Sequence, residues 1–232
     1  MKFIVSEKFL EKVPNAVFGV IVAKNINNKI ETDFIEKEMN QQIEKVSNKF
    51  EGKTVKETYP ITLYRDAFRN IDINPNKFMC SIEALTTRVV KTKKLPNINA
   101  IVDIGNTLSI KYLIPLGIHD IDKLTDDIMI RPANENDKFI PFGSTDTEIP
   151  DLGEIVYVSG NDVKTRKWTW RQGENGKITE EVKNVFIPLD CFDENKNDML
   201  ELQSEFKVIL EEKFGAEVSI GIIDKDNKEL EF

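Results

Sequence analysis

The densest group of side chains able to do chemistry runs from Gly160 to Glu174, where Trp168 and Trp170 alternate with Arg166, Lys167 and Arg171. Read as one strand, the segment puts Arg166, Trp168 and Trp170 on one face and Lys167, Thr169 and Arg171 on the other, because successive side chains alternate. Aromatic and basic groups interleaved in this way suit stacking on a nucleobase or closing a polar pocket. The same pattern describes tryptophans in a core with their charged neighbours left in water. A second group lies between Asn99 and Thr107. Asp103 and Asn106 are three apart, hence on one face of a helix, where a carboxylate and an amide can jointly hold an ammonium or a hydroxyl. Such residues also turn to solvent or bond the nearby backbone.

Composition narrows the chemistry. A single histidine, His119, excludes any site that needs two imidazoles, and Cys80 and Cys191 match no metal or redox spacing, so neither a metal nor a cofactor is expected. Free thiols and the absence of a long apolar run point to a cytoplasmic protein that neither enters a membrane nor is secreted. The net charge of -8 argues against DNA-like, sequence-independent binding over the whole surface. A local basic patch remains available from Arg88 through Lys91, Lys93 and Lys94 to Lys111, opposed only by Asp103.

These groups need elements to position them. With 232 residues, 40% hydrophobic and 31% charged, the chain suits one compact α+β domain. Residues 16–23 form a continuous apolar run that predicts a buried strand, and Asp33 with Glu36 starts a helix that Gly52 stops. Pro60 opens a short helix, Ser81 is the expected N-cap of the next, and residues 99–113 form a third, which Pro115 ends. Short strands are expected at 127–131, 154–158 and 184–189, a helix at 193–214 and a last strand at 216–223. The expected organisation is a single domain, 1–232, with a core at 64–189 and a strand-helix portion, 1–57, packed on it.

Arg88, Pro96, Ile98-Asn99, Val102-Asp103-x-x-Asn106, Pro115-Leu116, Asp120-x-Asp122-Lys123-Leu124 and Ile130-Arg131 occur in this order. That series resembles the B3/4 domain of the bacterial phenylalanyl-tRNA synthetase beta chain. Gly160-Asn161-Asp162 with Trp168-x-Trp170-Arg171-Gln172 is more similar to free-standing B3/4-domain proteins. The resemblance implies layered sheets with flanking helices and a pocket between the helix near Asn106 and the loop near Glu174. It also implies hydrolysis of a mischarged aminoacyl-tRNA, with Glu174 and Asn106 lining the pocket. Gly105 and Gly117 stand where the synthetase pattern carries a threonine and a histidine, and the expectation is that they enlarge or reshape the pocket so that a different ligand fits, with His119 nearby.

On this reading tRNA is the partner. Asn106, Glu174, Asp103 and His119 bind the aminoacyl group, while Arg88, Lys93, Lys94, Arg166 and Arg171 approach the acceptor-end phosphates. The catalytic group stays unassigned, since an activated ester needs only an oriented water and a stabilised oxyanion. The alternative is a module that binds tRNA or an amino acid in the same pocket without turnover. A further alternative makes Arg88, Asp103, Asp120, Asp162 and Arg166 ion pairs that hold the fold.

Overall fold

A computed structural model describes residues 1–232. In chain order the elements are β1 (Lys2–Val5), α1 (Glu7–Leu10), β2 (Ala16–Lys24), α2 (Asp33–Lys49), α3 (Ile61–Asn70), α4 (Ser81–Thr92), α5 (Ala100–Tyr112) and β3 (His119–Asp120). There follow β4 (Ile128–Pro132), β5 (Ile155–Ser159), β6 (Asp162–Arg166), β7 (Arg171–Gln172), β8 (Val185–Phe192), α6 (Lys196–Phe214), β9 (Glu217–Ile223) and β10 (Glu229–Glu231). No helix is long and apolar enough to cross a membrane.

The apolar run of β2 is buried along its whole length up to Lys24, because it lies inside a sheet ordered β3-β8-β2-β9 whose pairings are all antiparallel. A second sheet runs β10-β1-β4-β5-β6-β7, antiparallel except for the β1–β4 pair. The two sheets meet through aromatic side chains. Phe3 of β1 sits 5.9 Å from Phe18, 5.1 Å from Phe186 and 6.0 Å from Tyr157 between ring centroids, and so ties β1 and β5 to β2 and β8.

Helix α6 covers the other face of the four-stranded sheet. Gly19 makes this possible, since a Cβ there would collide with the Met199 sulfur. The buried Gln203 amide then donates to the carbonyls of Val20 (2.9 Å) and Gly221 (2.8 Å), stapling helix to sheet. Helices α2, α4 and α5 pack against one another, and α5 also meets α6. The fold is therefore the expected layered α+β arrangement.

Local details depart from expectation. Cys80, not Ser81, caps α4, and Ser81 is its first helical residue, with its N–H donated to Thr169 O at 2.7 Å. Thr32 rather than Asp33 precedes α2, without a side-chain cap. The 160–174 segment is not one strand. β6 ends at Arg166, and Lys167 (φ 48°) and Trp168 (φ 60°) both take left-handed backbone before β7 begins. Two such residues in succession cost roughly 1–3 kcal/mol each unless the surroundings hold them. Here the buried Glu154 carboxylate does so, accepting from Arg166 Nε (2.9 Å) and Nη2 (2.7 Å), Lys167 Nζ (2.6 Å) and the Lys167 N–H (3.1 Å). Burial acts to raise the Glu154 pKa, and the bonds from Arg166 and Lys167 outweigh it, leaving it below the usual value.

Candidate functional site

Helix α5 begins where Asn99 accepts the Val102 N–H on Oδ1 (3.3 Å), while its Nδ2 donates to Ile178 O (3.1 Å). Asp103 does not join Asn106 in a binding pair. Its carboxylate turns back to accept the Ile98 N–H at 2.8 Å, the use that the exposed donors of a helix start make of a nearby acid. Burial raises the Asp103 pKa against the backbone donors of Ile98 and Asn99. Asn106, one turn further on, lines a hollow of about 150 Å³ with Ile98, Val102, Leu116, Ile118, Phe142, Gln172 and the 176–178 segment. That is the size class of an apolar cavity able to take up benzene. Ile98 (52% exposed) and Phe142 (54%) stand at its mouth, an uncommon use of large apolar side chains.

Glu174 is not part of that lining. It opens the 3-10 turn Glu174–Gly176, and its Oε2 accepts the Gly143 N–H at 2.7 Å, with Lys177 Nζ 3.4 Å from Oε1. The Gly143 donor, assisted by Lys177, holds the Glu174 pKa below the usual carboxylate range. Its carboxylate thus ties down the turn that carries Phe142, while Lys177 Nζ lies 5.3 Å from the Phe142 ring. At the two glycines the lining is reshaped rather than opened. A Cβ on Gly105 would come 3.0 Å from Ile118 Cδ1 and 3.3 Å from Leu116 Cδ1, and one on Gly117 would come 3.0 Å from His119 Nε2. This chain's own side chains have moved into the space.

Beside the hollow, sharing Leu116 and Gln172 with it, is a smaller cavity of about 70 Å³ with more polar residues in its lining, among them Ser81, His119, Tyr157, Thr169 and Asp190 beside Gly117 and Pro188. The segment after α5 forms its wall because it runs along β8, with the Gly117 N–H donated to Pro188 O (3.2 Å). His119 is buried, its Nδ1 has no hydrogen-bond partner, and the same holds for Thr169 Oγ1. Burial first, then the Lys164 charge, pushes the imidazole down to about 3, so it is neutral at physiological pH. Asp190 accepts on Oδ1 from Tyr157 Oη and from Trp168 Nε1, both at 2.6 Å. Burial pushes its carboxyl up to about 7 although both donors favour the anion. Paired polar atoms are the rule in protein interiors, and both of these exceptions belong to residues that line this cavity.

The expected phosphate contacts separate into two kinds. Arg166 is half-buried and committed to the buried Glu154 and the part-exposed Glu148 rather than left free. Lys164, also buried, pairs with Asp162, and Asp120 pairs with Lys123. Arg88, Lys93, Lys94 and Arg171 are exposed, and Arg171 stacks 6.0 Å from the Trp170 ring. Asp190 and Tyr157 escape sequence reasoning. The available signal is a lone acid inside the apolar run Val185–Phe192, a placement that requires buried donors.

The model of the B3/4 domain family matches residues 63–214. The chain belongs to the B3/4 domain family. The matched B3/4 segment contains α3 to α6 and β3 to β8, hence both cavities, whereas β1, β2, β9 and β10 lie outside it. The phenylalanine–tRNA ligase beta subunit of Fusobacterium nucleatum subsp. nucleatum is 30% identical to this B3/4 chain over 103 residues. That match covers 44% of this chain and 13% of the relative, so the chain corresponds to a small part of that protein. Among solved structures, an N-terminal fragment of the phenylalanyl-tRNA synthetase beta-subunit from Pyrococcus horikoshii aligns with a TM-score of 0.46 at 12% identity, covering 93% of this chain and 49% of that one.

Proposed function

We propose that this B3/4 protein binds the aminoacylated end of a tRNA and hydrolyses the ester of a mischarged one. The observation that carries the reading is the pair of adjoining cavities that share Leu116 and Gln172, one lined mostly by apolar residues and one that adds the side chains of His119, Thr169 and Asp190. In this scheme the apolar hollow takes the amino-acid side chain, with the Asn106 amide available to a polar atom on it. The polar cavity has room for a few waters at the usual volume per molecule.

An aminoacyl ester is reactive enough that a positioned water suffices. Asp190 is the group we assign to it. Both donors to its carboxylate end on Oδ1, which leaves Oδ2 to accept a proton from water as that water attacks the ester carbonyl carbon. The bond from carbonyl carbon to ribose oxygen then breaks, and the proton passes to the ribose oxygen. Asp190 returns to the carboxylate, and a free amino acid and uncharged tRNA leave. A carboxyl that titrates near neutrality is suited to both transfers.

The test is a panel of mischarged tRNAs incubated with purified protein and with Asp190→Asn, which keeps the acceptor for Tyr157 and Trp168. Turnover of at least one pairing, lowered by roughly 10²-fold or more in a variant that keeps the native circular-dichroism spectrum, is expected. Absence of deacylation for every pairing removes the enzymatic reading. A second reading, binding without turnover, is favoured by the occupation of the Gly117 space by His119, and predicts protection of the ester rather than its loss.

A further inference from the structure

The Lys53–Glu57 turn lies against the second half of α4, and the groove between them is lined by Lys53, Lys56 and Lys91 with Met79 and Val90. Arg88, Lys93 and Lys94 extend the same positive surface around the end of α4. All of these cations are exposed, and none has a carboxylate within ion-pairing distance. What sets them apart is their clustering in one place on a chain with 40 acidic against 32 basic side chains. Glu83 also borders the groove, but its carboxylate is held by Arg65 at 2.7 Å in the interior. Clustered, unneutralised cations on an acidic protein form a local field that draws in a polyanion.

We propose that this groove is the track along which a single-stranded RNA end runs toward the paired cavities, a proposal that rests on the tRNA reading above. Direction is what selects RNA over an acidic protein. Helix α4 begins at Ser81, which lines the polar cavity, and reaches Lys91 about 15 Å further along its axis at 1.5 Å per residue. A polynucleotide terminus seated in the cavity therefore has its upstream phosphates over the cations. Met79, 42% exposed and just ahead of Ser81, offers an apolar surface for a base between the two.

Binding of a labelled single-stranded RNA with a tRNA acceptor-end sequence is measured by anisotropy over a salt series. The protein is compared with Lys53→Gln/Lys56→Gln/Lys91→Gln and with Lys8→Gln/Lys183→Gln/Lys225→Gln as the equal-charge control. The groove variant is expected to bind roughly tenfold or more weakly, with a salt slope smaller by about 2, at about 0.7 for each phosphate no longer neutralised, while the control is unchanged. Equal losses in both variants, or displacement of the bound RNA by polyglutamate as readily as by unlabelled RNA, overturn the proposal. An aminoacyl-adenosine ester, too short to reach the groove, separates the two readings. If both proteins hydrolyse it equally and RNA affinity does not differ, the groove falls and deacylation stands. If neither hydrolyses it and the groove variant alone loses RNA, the groove stands and deacylation falls.

Discussion

A carboxylate set into the eight-residue strand Val185–Phe192, otherwise buried and apolar in character, has to be explained by what it touches. Asp190 touches Tyr157 and Trp168, and the balance between their hydrogen bonds and its burial sets a measurable pH dependence. Because its folded pKa, about 7, lies above the ordinary 3.8, the native state holds a proton the unfolded state has lost. The resulting stability is full below about 3.8 and disappears as pH rises toward 7. His119 works the other way: its folded pKa of about 3 lies below 6.5, so its contribution is present above 6.5 and lost as pH falls toward 3. In denaturant titrations, relative to the native chain, Asp190→Asn is expected to tilt stability upward from pH 4 to 7 and His119→Gln to tilt it downward, each by a few kcal/mol over the window. Parallel curves for both variants and the native chain contradict the assignment. Arg65 and Glu83 supply a sterner case. Their buried pair, 2.7 Å apart, is completed by bonds from Arg65 to Pro75 O and Asn76 Oδ1, so Glu83→Ala strands a cation and is expected to cost about 3–5 kcal/mol in chemical unfolding.

Among the elements, α5 shows how a cap places a wall. Asn99 holds the first turn of α5, meets Asn28 Nδ2 at 3.2 Å and fixes Ile178, which lines the hollow. Asn99→Ala is expected to lower stability by about 1–2 kcal/mol and to weaken ligand binding at the hollow, as read by calorimetry. Glu174→Ala acts on a turn rather than a helix: loss of its bond to Gly143 is expected to speed amide exchange at Gly143 with little change in melting temperature. Elements of this kind are unevenly legible in the sequence. The apolar run of β2 and the stripes of α2, α5 and α6 announce themselves, because burial on one face imposes a period. The turn at Lys167-Trp168 does not, because its left-handed backbone is imposed by Glu154, a contact no local pattern encodes. Likewise Asp103 and Asn106 share spacing but not a task, since the helix start claims the first of them.

At the scale of the whole molecule, the sheets are joined where strands distant in sequence bring aromatic rings together. Phe3 is buried among Phe18, Tyr157 and Phe186, and β1, which carries it, lies between β4 and β10. Phe3→Ala is expected to cost about 3–5 kcal/mol and to loosen both sheets together, which hydrogen exchange reports as a joint loss of protection in β2 and β5. Layered architecture is readable from the order of periodic segments, whereas the strand order is not, because β1 and β10 are short and meet across the full length of the chain.

The partition between hollow and cavity has a consequence for how such a protein can change its preference. On one side its backbone is anchored along β8 by Gly117 and by the Leu116–Leu189 bridge, and on the other Gln172 is held by its bonds to Ile118 O and Gly176 O, which leaves the Leu116 side chain as the member open to variation. Trimming that residue would merge the chambers into a single deeper receptacle, and a bulkier one would seal them apart. A single codon is then enough to regauge the vestibule, with the contacts of Asp190 to Tyr157 and Trp168 left in place.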